Sequence, residues 1–220
     1  MEMSFDISSL KDKKPLSFGA EAAIYKVNNA IVKVRPEKKY RLSFIDKKIR
    51  RQRTRREAKV ISGVFSSGIK CPRLIEFSDK DMFIIMSFIS GKKLRDSLNN
   101  ENAFFLGSET GKIVSGLHSF GIVHQDLTTS NFILNDNSLF VIDFGLSFYS
   151  KKAEDRAVDI HLLLRAIESK HPKIAKTFLD GFFEGYKFNG YDDVLLRLKV
   201  VERRGRYKGK KESKSFLSYF

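Results

Sequence analysis

Asp126, Asn131 and Asp143 constrain this chain more than any other residues, because of the order and spacing in which they occur. The run Ile122-Val123-His124-Gln125-Asp126-Leu127-Thr128-Thr129-Ser130-Asn131 is followed, twelve residues after Asn131, by Asp143-Phe144-Gly145. Two strand-like runs, Phe132-Ile133-Leu134 and Leu139-Phe140-Val141-Ile142, lie between them. That order predicts a loop, a short apolar hairpin and a second loop, which together fold Asp143 back beside Asp126 and Asn131. The residue types suit phosphoryl transfer. Asp126 is placed to accept or orient the proton of an attacking hydroxyl or water, and Asn131 and Asp143 to hold magnesium ions that bridge the phosphates of ATP. Asp-Phe-Gly alone is an ordinary turn sequence; the ordered set in its predicted context carries the inference.

The chain has 220 residues, enough for one sizeable core or two small lobes. With 42% hydrophobic and 30% charged residues it is globular in composition, which excludes wholesale disorder. No apolar run approaches the roughly 20 residues needed to span a bilayer, and the longest, Met82 to Ile89, suits a buried strand. Glu2 and Asp6 stand where an export signal would need an apolar core, so a cytoplasmic, non-membrane protein is expected. The single Cys71, before Pro72, reads as a small packing residue.

The net charge of +15 is concentrated in two blocks, with +10 between Lys33 and Lys59 and +6 between Arg203 and Lys214. Clustered cations displace counterions from nucleic-acid phosphates, so both blocks are candidate nucleic-acid contacts. The plainer reading of any charge run is a solvated surface.

Read in order, Pro15–Phe18, Ala23–Val27 and Ala30–Val34 predict three strands, with turns at Gly19-Ala20-Glu21-Ala22 and Asn28-Asn29. A helix from about Ile49 to Phe65 follows, its inward stripe being Glu57, Ile61, Val64 and Phe65. Two more strands, over Pro72–Phe77 and Met82–Ile89, complete the first lobe. Beyond Gly91 the pattern predicts helices over Lys92–Asn99, Phe104–Phe120, Glu154–Ser169, Pro172–Tyr186 and Asp192–Val200. On the second of these, Ile113, Leu117 and Phe120 share the inward face. The fold class expected is α+β, a minimal two-lobed protein-kinase-like fold. Residues 1–90 form a small five-stranded antiparallel N-lobe with one main helix, residues 91–202 a mostly helical C-lobe, and residues 203–220 a basic, extended tail.

Within that fold, Lys33 occupies the strand position that holds the α and β phosphates, with Glu57 as the carboxylate that aims its ammonium. A solvent-facing strand lysine is the alternative, and Arg53, Arg55 and Arg56 are rival partners for Glu57. Gly19, Ala20, Glu21 and Ala22 stand where a glycine-rich loop covers the phosphates, with one glycine instead of three and thus a stiffer backbone. Glu21 either aims groups across the cleft or finishes a turn. Met86 and Phe88 belong to the expected interlobe hinge at the adenine, although Met86 suits plain core equally.

His124 reads as a packed structural histidine. Gln125 replaces the arginine that receives an activation-loop phosphate in regulated protein kinases, so no such switch is expected. Few residues separate Asp143-Phe144 from Glu154-Asp155, and no Ala-Pro-Glu anchor follows, which leaves little room for a peptide-docking platform. Asp159 either accepts hydrogen bonds from the catalytic-loop backbone or is a surface carboxylate.

These particulars resemble one family closely, the small atypical kinase subunit of the KEOPS complex, across almost the whole chain. The specific pieces are Phe18-Gly19-Ala20-Glu21-Ala22, Val32-Lys33-Val34-Arg35 with Lys39-Tyr40-Arg41, Arg53-Thr54-Arg55-Arg56-Glu57-Ala58, and His124 to Asn131. To these are added Ile142-Asp143-Phe144-Gly145-Leu146, Glu154 to Asp159 and Arg203-Arg204-Gly205-Arg206. The family usually has glycine where Gln125 stands. The resemblance implies Mg-ATP in the cleft and an ATPase-like or autophosphorylating activity serving threonylcarbamoyladenosine formation in tRNA. It also implies docking on the complex's tRNA-modifying metalloprotein subunit, to which the kinase is fused in some archaea. A small KEOPS subunit is implied at the N-lobe, and the basic tail is implied to reach toward the metalloprotein or tRNA. Two other functions remain open on the residues alone. One is a small-molecule phosphotransferase of the aminoglycoside or choline kinase type, which needs a larger C-lobe pocket. The other is a tRNA- or protein-binding pseudokinase scaffold, against which the intact Lys33, Asp126, Asn131 and Asp143 argue.

Overall fold

A computed structural model describes Leu10, residues 12–19 and residues 21–206, with the side chains of residues 205 and 206 excepted. The first half is a five-stranded antiparallel sheet in the order β1-β2-β3-β5-β4, formed by Ser17–Phe18, Ala23–Val27, Ala30–Val34, Leu74–Ser78 (β4) and Phe83–Ser87 (β5). Strand alternation divides β3 cleanly. Val32 and Val34 point to one face, where they pack with Leu10, Phe83 and Ile85, while Ile31 packs on the opposite face against the main core. Central β5 is therefore buried on both faces, which accounts for its unbroken apolar run.

Helix α1, Ser43–Ser66, packs across the inner face. It begins six residues before the expected start at Ile49. Its first turns carry no apolar stripe because what they bury is ionic. Asp46 is fully buried and is neutralised by Arg50 Nε at 2.6 Å. Ile61 and Val64 are buried as expected, but Phe65 is exposed, since it lies beyond the width of the stripe.

After β6 (Lys92–Lys93) and a single helical turn, α2 (Leu94–Ser97), the chain forms α3 (Ala103–Ser119), β7 (Ile122–Val123), β8 (Phe132–Asn135), β9 (Ser138–Val141) and β10 (Phe148–Tyr149). Helices α4 (Ala153–Lys170), α5 (Ala175–Gly185) and α6 (Tyr191–Arg206) complete it. Strands β8 and β9 are the predicted hairpin; β6 extends that sheet and β7 pairs with β10. On α3, Leu117 is buried and Ile113 packs on the core, but Phe120 is exposed just past the helix end. The tail expected from residue 203 is overturned as far as Arg206. Helix α6 continues through it, because Val194, Leu198 and Glu202 bury one stripe and Arg197 and Arg204 both pair with Glu154 on α4. Residues 207–220 lie outside the described residues. Among the described residues no helix is long and apolar enough to cross a membrane.

The C-lobe is pinned by a pair of reciprocal Gly-xxx-Gly steps. A Cβ on Gly107 or Gly111 of α3 would overlap the carbonyl oxygens of Phe178 and Phe182 on α5, and one on Gly181 or Gly185 would overlap those of Phe104 and Ser108. The two helices thus touch backbone to backbone, and neither can retreat without opening the core. Gly111→Ala or Gly181→Ala is expected to lower the unfolding free energy by about 2 kcal/mol or more in denaturant titrations, the clash outweighing alanine's helix propensity. Gly19→Ala, where a Cβ meets only the Ala22 carbonyl at 3.6 Å, should leave stability near wild type.

Candidate active site

The residues expected to carry phosphoryl transfer converge on one cleft between the sheet and the helices. Its inner part is a cavity of about 480 Å³ whose walls include Leu16, Ile24, Ile31, Met86, Phe88 and Ile133, with Lys33, Glu57, Asn131 and Asp143 at one end. Its outer part, about 320 Å³, is lined by Gly19, Glu21, Ala22, Lys33, Arg35, Arg53, Asp126 and Asp143. Shared Lys33 and Asp143 join an apolar chamber to a charged one, a shape matched to a base with a polyphosphate tail. Ala20 lies outside the described residues.

Lys33 is buried, with Nζ 2.7 Å from Glu57 Oε1 and 2.7 Å from Asp143 Oδ1. The solvent-facing alternative is thereby overturned. Burial disfavours the ammonium, but the Glu57 and then the Asp143 carboxylate outweigh it and raise the Lys33 pKa, so the group stays charged. Desolvation likewise opposes the Asp143 carboxylate, and Lys33 and the Gly145 N–H more than compensate, holding it below the usual range. The rival for Glu57 is none of Arg53, Arg55 and Arg56. It is Arg35, whose Nη2 lies 2.5 Å from Glu57 Oε2. Strand alternation could have found it, since Arg35 follows Lys33 by two residues and shares its face.

Asn131 sits in a 3-10 turn, Thr129–Asn131, and donates Nδ2–H to both the backbone oxygen and Oδ2 of Asp126, each at 2.8 Å. This fixes the Asp126 rotamer and leaves the Asn131 amide oxygen as the atom offered to a cation. That oxygen and the half-exposed Asp143 carboxylate make the donor set magnesium uses beside substrate phosphates: hard oxygens, few from protein. The residues present therefore fit the metal.

At the hinge, the N–H groups of Ser87 and Phe88 are spent on the carbonyls of Arg73 and Asn29, at 2.9 and 3.1 Å. Phe88 thus contributes wall, not a donor; Ile89, the last residue of the expected hinge run Met86-Ser87-Phe88-Ile89, lines the same chamber and follows it directly.

Beneath the loop, Asp159 is fully buried and accepts from His124 N–H at Oδ2 and Gln125 N–H at Oδ1, both at 2.7 Å. His118, missed from sequence because it sits among the buried residues of α3, completes the support, with Nε2 3.2 Å from Asp159 Oδ2 and Nδ1 2.6 Å from the Tyr186 hydroxyl. His124 is the packed residue expected: it donates Nε2–H to Ile142 O at 3.0 Å and stacks obliquely on Phe144. Gln125 has φ +65°, in the left-handed region that favours glycine.

Residues 10–162 match the protein kinase domain family. KEOPS complex subunit Bud32 of Pyrococcus abyssi is 36% identical over 212 residues, covering 89% of this chain and 96% of that one. The EKC/KEOPS complex subunit BUD32 of Encephalitozoon cuniculi is 41% identical, covering 90% and 96%. The chain belongs to the Bud32 family. The Bud32 region also occurs within longer relatives. A probable bifunctional tRNA threonylcarbamoyladenosine biosynthesis protein of Methanococcus maripaludis is 40% identical over 86% of this chain but only 35% of its own length. Among solved structures, the Rio2 kinase of Chaetomium thermophilum superposes with a TM-score of 0.60 at 13% identity, over 86% of this chain and 70% of Rio2. An ADP-bound aminoglycoside phosphotransferase gives 0.60 at 15%, over 94% and 89%. These last two show the fold alone, in which the Bud32 chain is a protein-kinase-like α+β protein.

Burial lowers the His118 pKa below its ordinary 6.5, and Asp159 only partly offsets this, so the folded chain keeps the ring neutral. The unfolded chain binds that proton more tightly. Its stabilisation is therefore complete above pH 6.5 and is lost as pH falls through the depressed folded value. The melting temperature should drop steadily between pH 7.5 and 5.5, and His118→Gln should lower it at pH 7.5 yet make the drop smaller. His161 and His171, also depressed by burial, keep the drop from vanishing.

Proposed function

We propose that this protein is an ATP-dependent, serine/threonine-protein-kinase-like ATPase subunit of a KEOPS-type complex that supports threonylcarbamoyladenosine modification of tRNA. The observation that carries the proposal is the convergence of Lys33, Asp126, Asn131 and Asp143 on one cleft in a chain of the Bud32 family. Lys33, aimed by Glu57, holds the α and β phosphates. Asn131 Oδ1 and Asp143 would hold magnesium, which when bound would offset the negative charge of the phosphates. Asp126, its rotamer fixed by Asn131, orients the attacking hydroxyl or water and takes its proton. Gly19, Glu21 and Ala22 cover the phosphates from the β1–β2 turn, while Met86 and Phe88 wall the adenine end, and Ile89 supplies the hinge donor. The nine residues between Asp143 and Ala153 carry only the short strand β10, which favours water or a residue of this complex over a docked peptide as acceptor.

For partners, the reading is a tRNA-modifying metalloprotein subunit, fused to the kinase in some relatives' arrangement, and a small subunit on the N-lobe, where Ile75 and Phe77 are exposed on edge strand β4. tRNA contact falls to the Lys33–Lys59 block and the basic tail, in the cytoplasm.

Asp126→Ala and Asp143→Ala should each cut ATP turnover at least about a hundredfold, since positioning and charge stabilisation supply most of the catalysis. Asp126→Ala should melt within a few degrees of wild type, while Asp143→Ala should still fold but melt lower, because Lys33 loses one of its two carboxylates. An Asp143→Ala protein that hydrolyses ATP at the wild-type rate rules out the assignment. Stimulation by the metalloprotein subunit and tRNA, without phosphate transfer to protein, is the outcome expected of an ATPase. Truncation after Arg206, which removes four lysines and Glu212, should weaken tRNA binding and flatten its salt dependence. An unchanged slope would assign the contact to the Lys33–Lys59 block alone.

A further inference from the structure

Arg53 lies one helical turn before Glu57 on α1 and lines the outer chamber with Lys33, Asp126 and Asp143. Its guanidinium is turned to Glu21 of the covering turn, Nη1 2.6 Å from Oε2. Arg41 donates Nη2–H to the other oxygen, Oε1, at 3.0 Å. One carboxylate is thus gripped by two forks, the way guanidinium groups hold a phosphate. The grip is imperfect. Nη1 of Arg53 is buried and close to Glu21 but off the line of its N–H, so it makes no aligned hydrogen bond, and Nη1 of Arg41 is buried without one as well. The two side chains of the Arg53–Glu21 pair are 32% and 34% exposed, so the ion pair is screened and readily exchanged. Arg41 does not line the chamber; it is tied back toward Asp46, at 3.5 Å, which makes Arg53 the one poised to turn inward.

We propose that Arg53 binds the terminal phosphate of the nucleotide, and that Glu21 occupies its guanidinium until that phosphate displaces it. The inference rests on the nucleotide reading of the cleft. The exchange makes and breaks no covalent bond. The Glu21–Arg53 ion pair opens, Arg53 pairs with the γ-phosphate, and Glu21 remains with Arg41. Glu21 then does more than finish a turn, because it is an internal competitor that only a triphosphate fully overcomes. A diphosphate ends short of Arg53 and gains little from it. Selectivity for ATP over ADP would follow from a residue outside the Lys33, Asn131 and Asp143 set.

The test is titration calorimetry of the full chain with magnesium and either ADP or the non-hydrolysable β,γ-imido analogue of ATP. Wild type is compared with Arg53→Ala, Arg53→Lys and Glu21→Gln, each checked for an intact melting transition. Arg53→Ala should weaken the triphosphate about tenfold or more and ADP less than about twofold. Arg53→Lys, which keeps the charge but loses the fork, should fall between, and it decides the matter if the alanine variant does not fold. Glu21→Gln should tighten the triphosphate more than ADP. Equal losses for both nucleotides in the Arg53 variants, no loss at all, or weaker triphosphate binding in Glu21→Gln would each overturn the inference while leaving the nucleotide reading intact. A wild-type chain that binds neither nucleotide overturns both.

Discussion

The Lys33 ammonium sits where three elements meet: β3, which carries it, α1, which supplies Glu57, and the segment after β9, which supplies Asp143. Removing such charges from water costs several kcal/mol per ion, and only close pairing repays it. Deleting one partner of a buried pair typically costs about 3–5 kcal/mol, because the other charge is left stranded. The geometry is accordingly demanding. The register of β3, the rotation of α1 about its axis and the end of β9 must all be right at once for the two 2.7 Å contacts to form. Arg35 on the other oxygen of Glu57 narrows the choice further, since the glutamate cannot rotate toward Lys33 without losing its second partner.

The catalytic loop is held by an equally economical device on the opposite side of the cleft. Asp159, rooted in α4, accepts from two successive backbone N–H groups, and neutral His118 and the Tyr186 hydroxyl line up behind it. This arrangement explains why Gln125 is tolerated in left-handed backbone, a conformation that costs a side-chain-bearing residue about 1–2 kcal/mol. The hydrogen bond from its own N–H to Asp159 fixes that backbone. The short path from Asp143 to α4 follows from the same economy. Ser147 ties it to the His124 carbonyl and β10 pairs with β7, so the segment is fastened at its middle.

The parts of the fold that were legible in the sequence are those with a strong local signal. Ala23–Val27 and Ala30–Val34 occur with the predicted limits, and the β8–β9 hairpin stands between Asn131 and Asp143 as the spacing requires. Apolar periodicity failed where the buried face is polar. The first turns of α1 bury Asp46 among arginines, and the last turns of α6 bury Glu202 and bond Arg197 and Arg204 to α4, so neither end shows an apolar repeat. It also overreached by one residue at Phe65 and Phe120, which continue the spacing but lie past the surface that covers it. The reciprocal glycines of α3 and α5 were visible as letters, but their pairing depends on two segments some seventy residues apart in the chain coming into register.

The sequence alone determined the chemistry available, because Lys33, Asp126, Asn131 and Asp143 are residue types whose order and spacing admit few other uses. It determined the β-rich first half and helical second half, because those patterns are local. Only the tertiary structure decided which charges meet. Whether Glu57 takes Lys33 alone or shares Arg35, whether Arg53 faces Glu57 or Glu21, and whether Asp159 is surface or scaffold all depend on side chains from distant segments converging in a space of low dielectric. There an ångström of placement separates a strong pair from none, and no one-dimensional pattern records it.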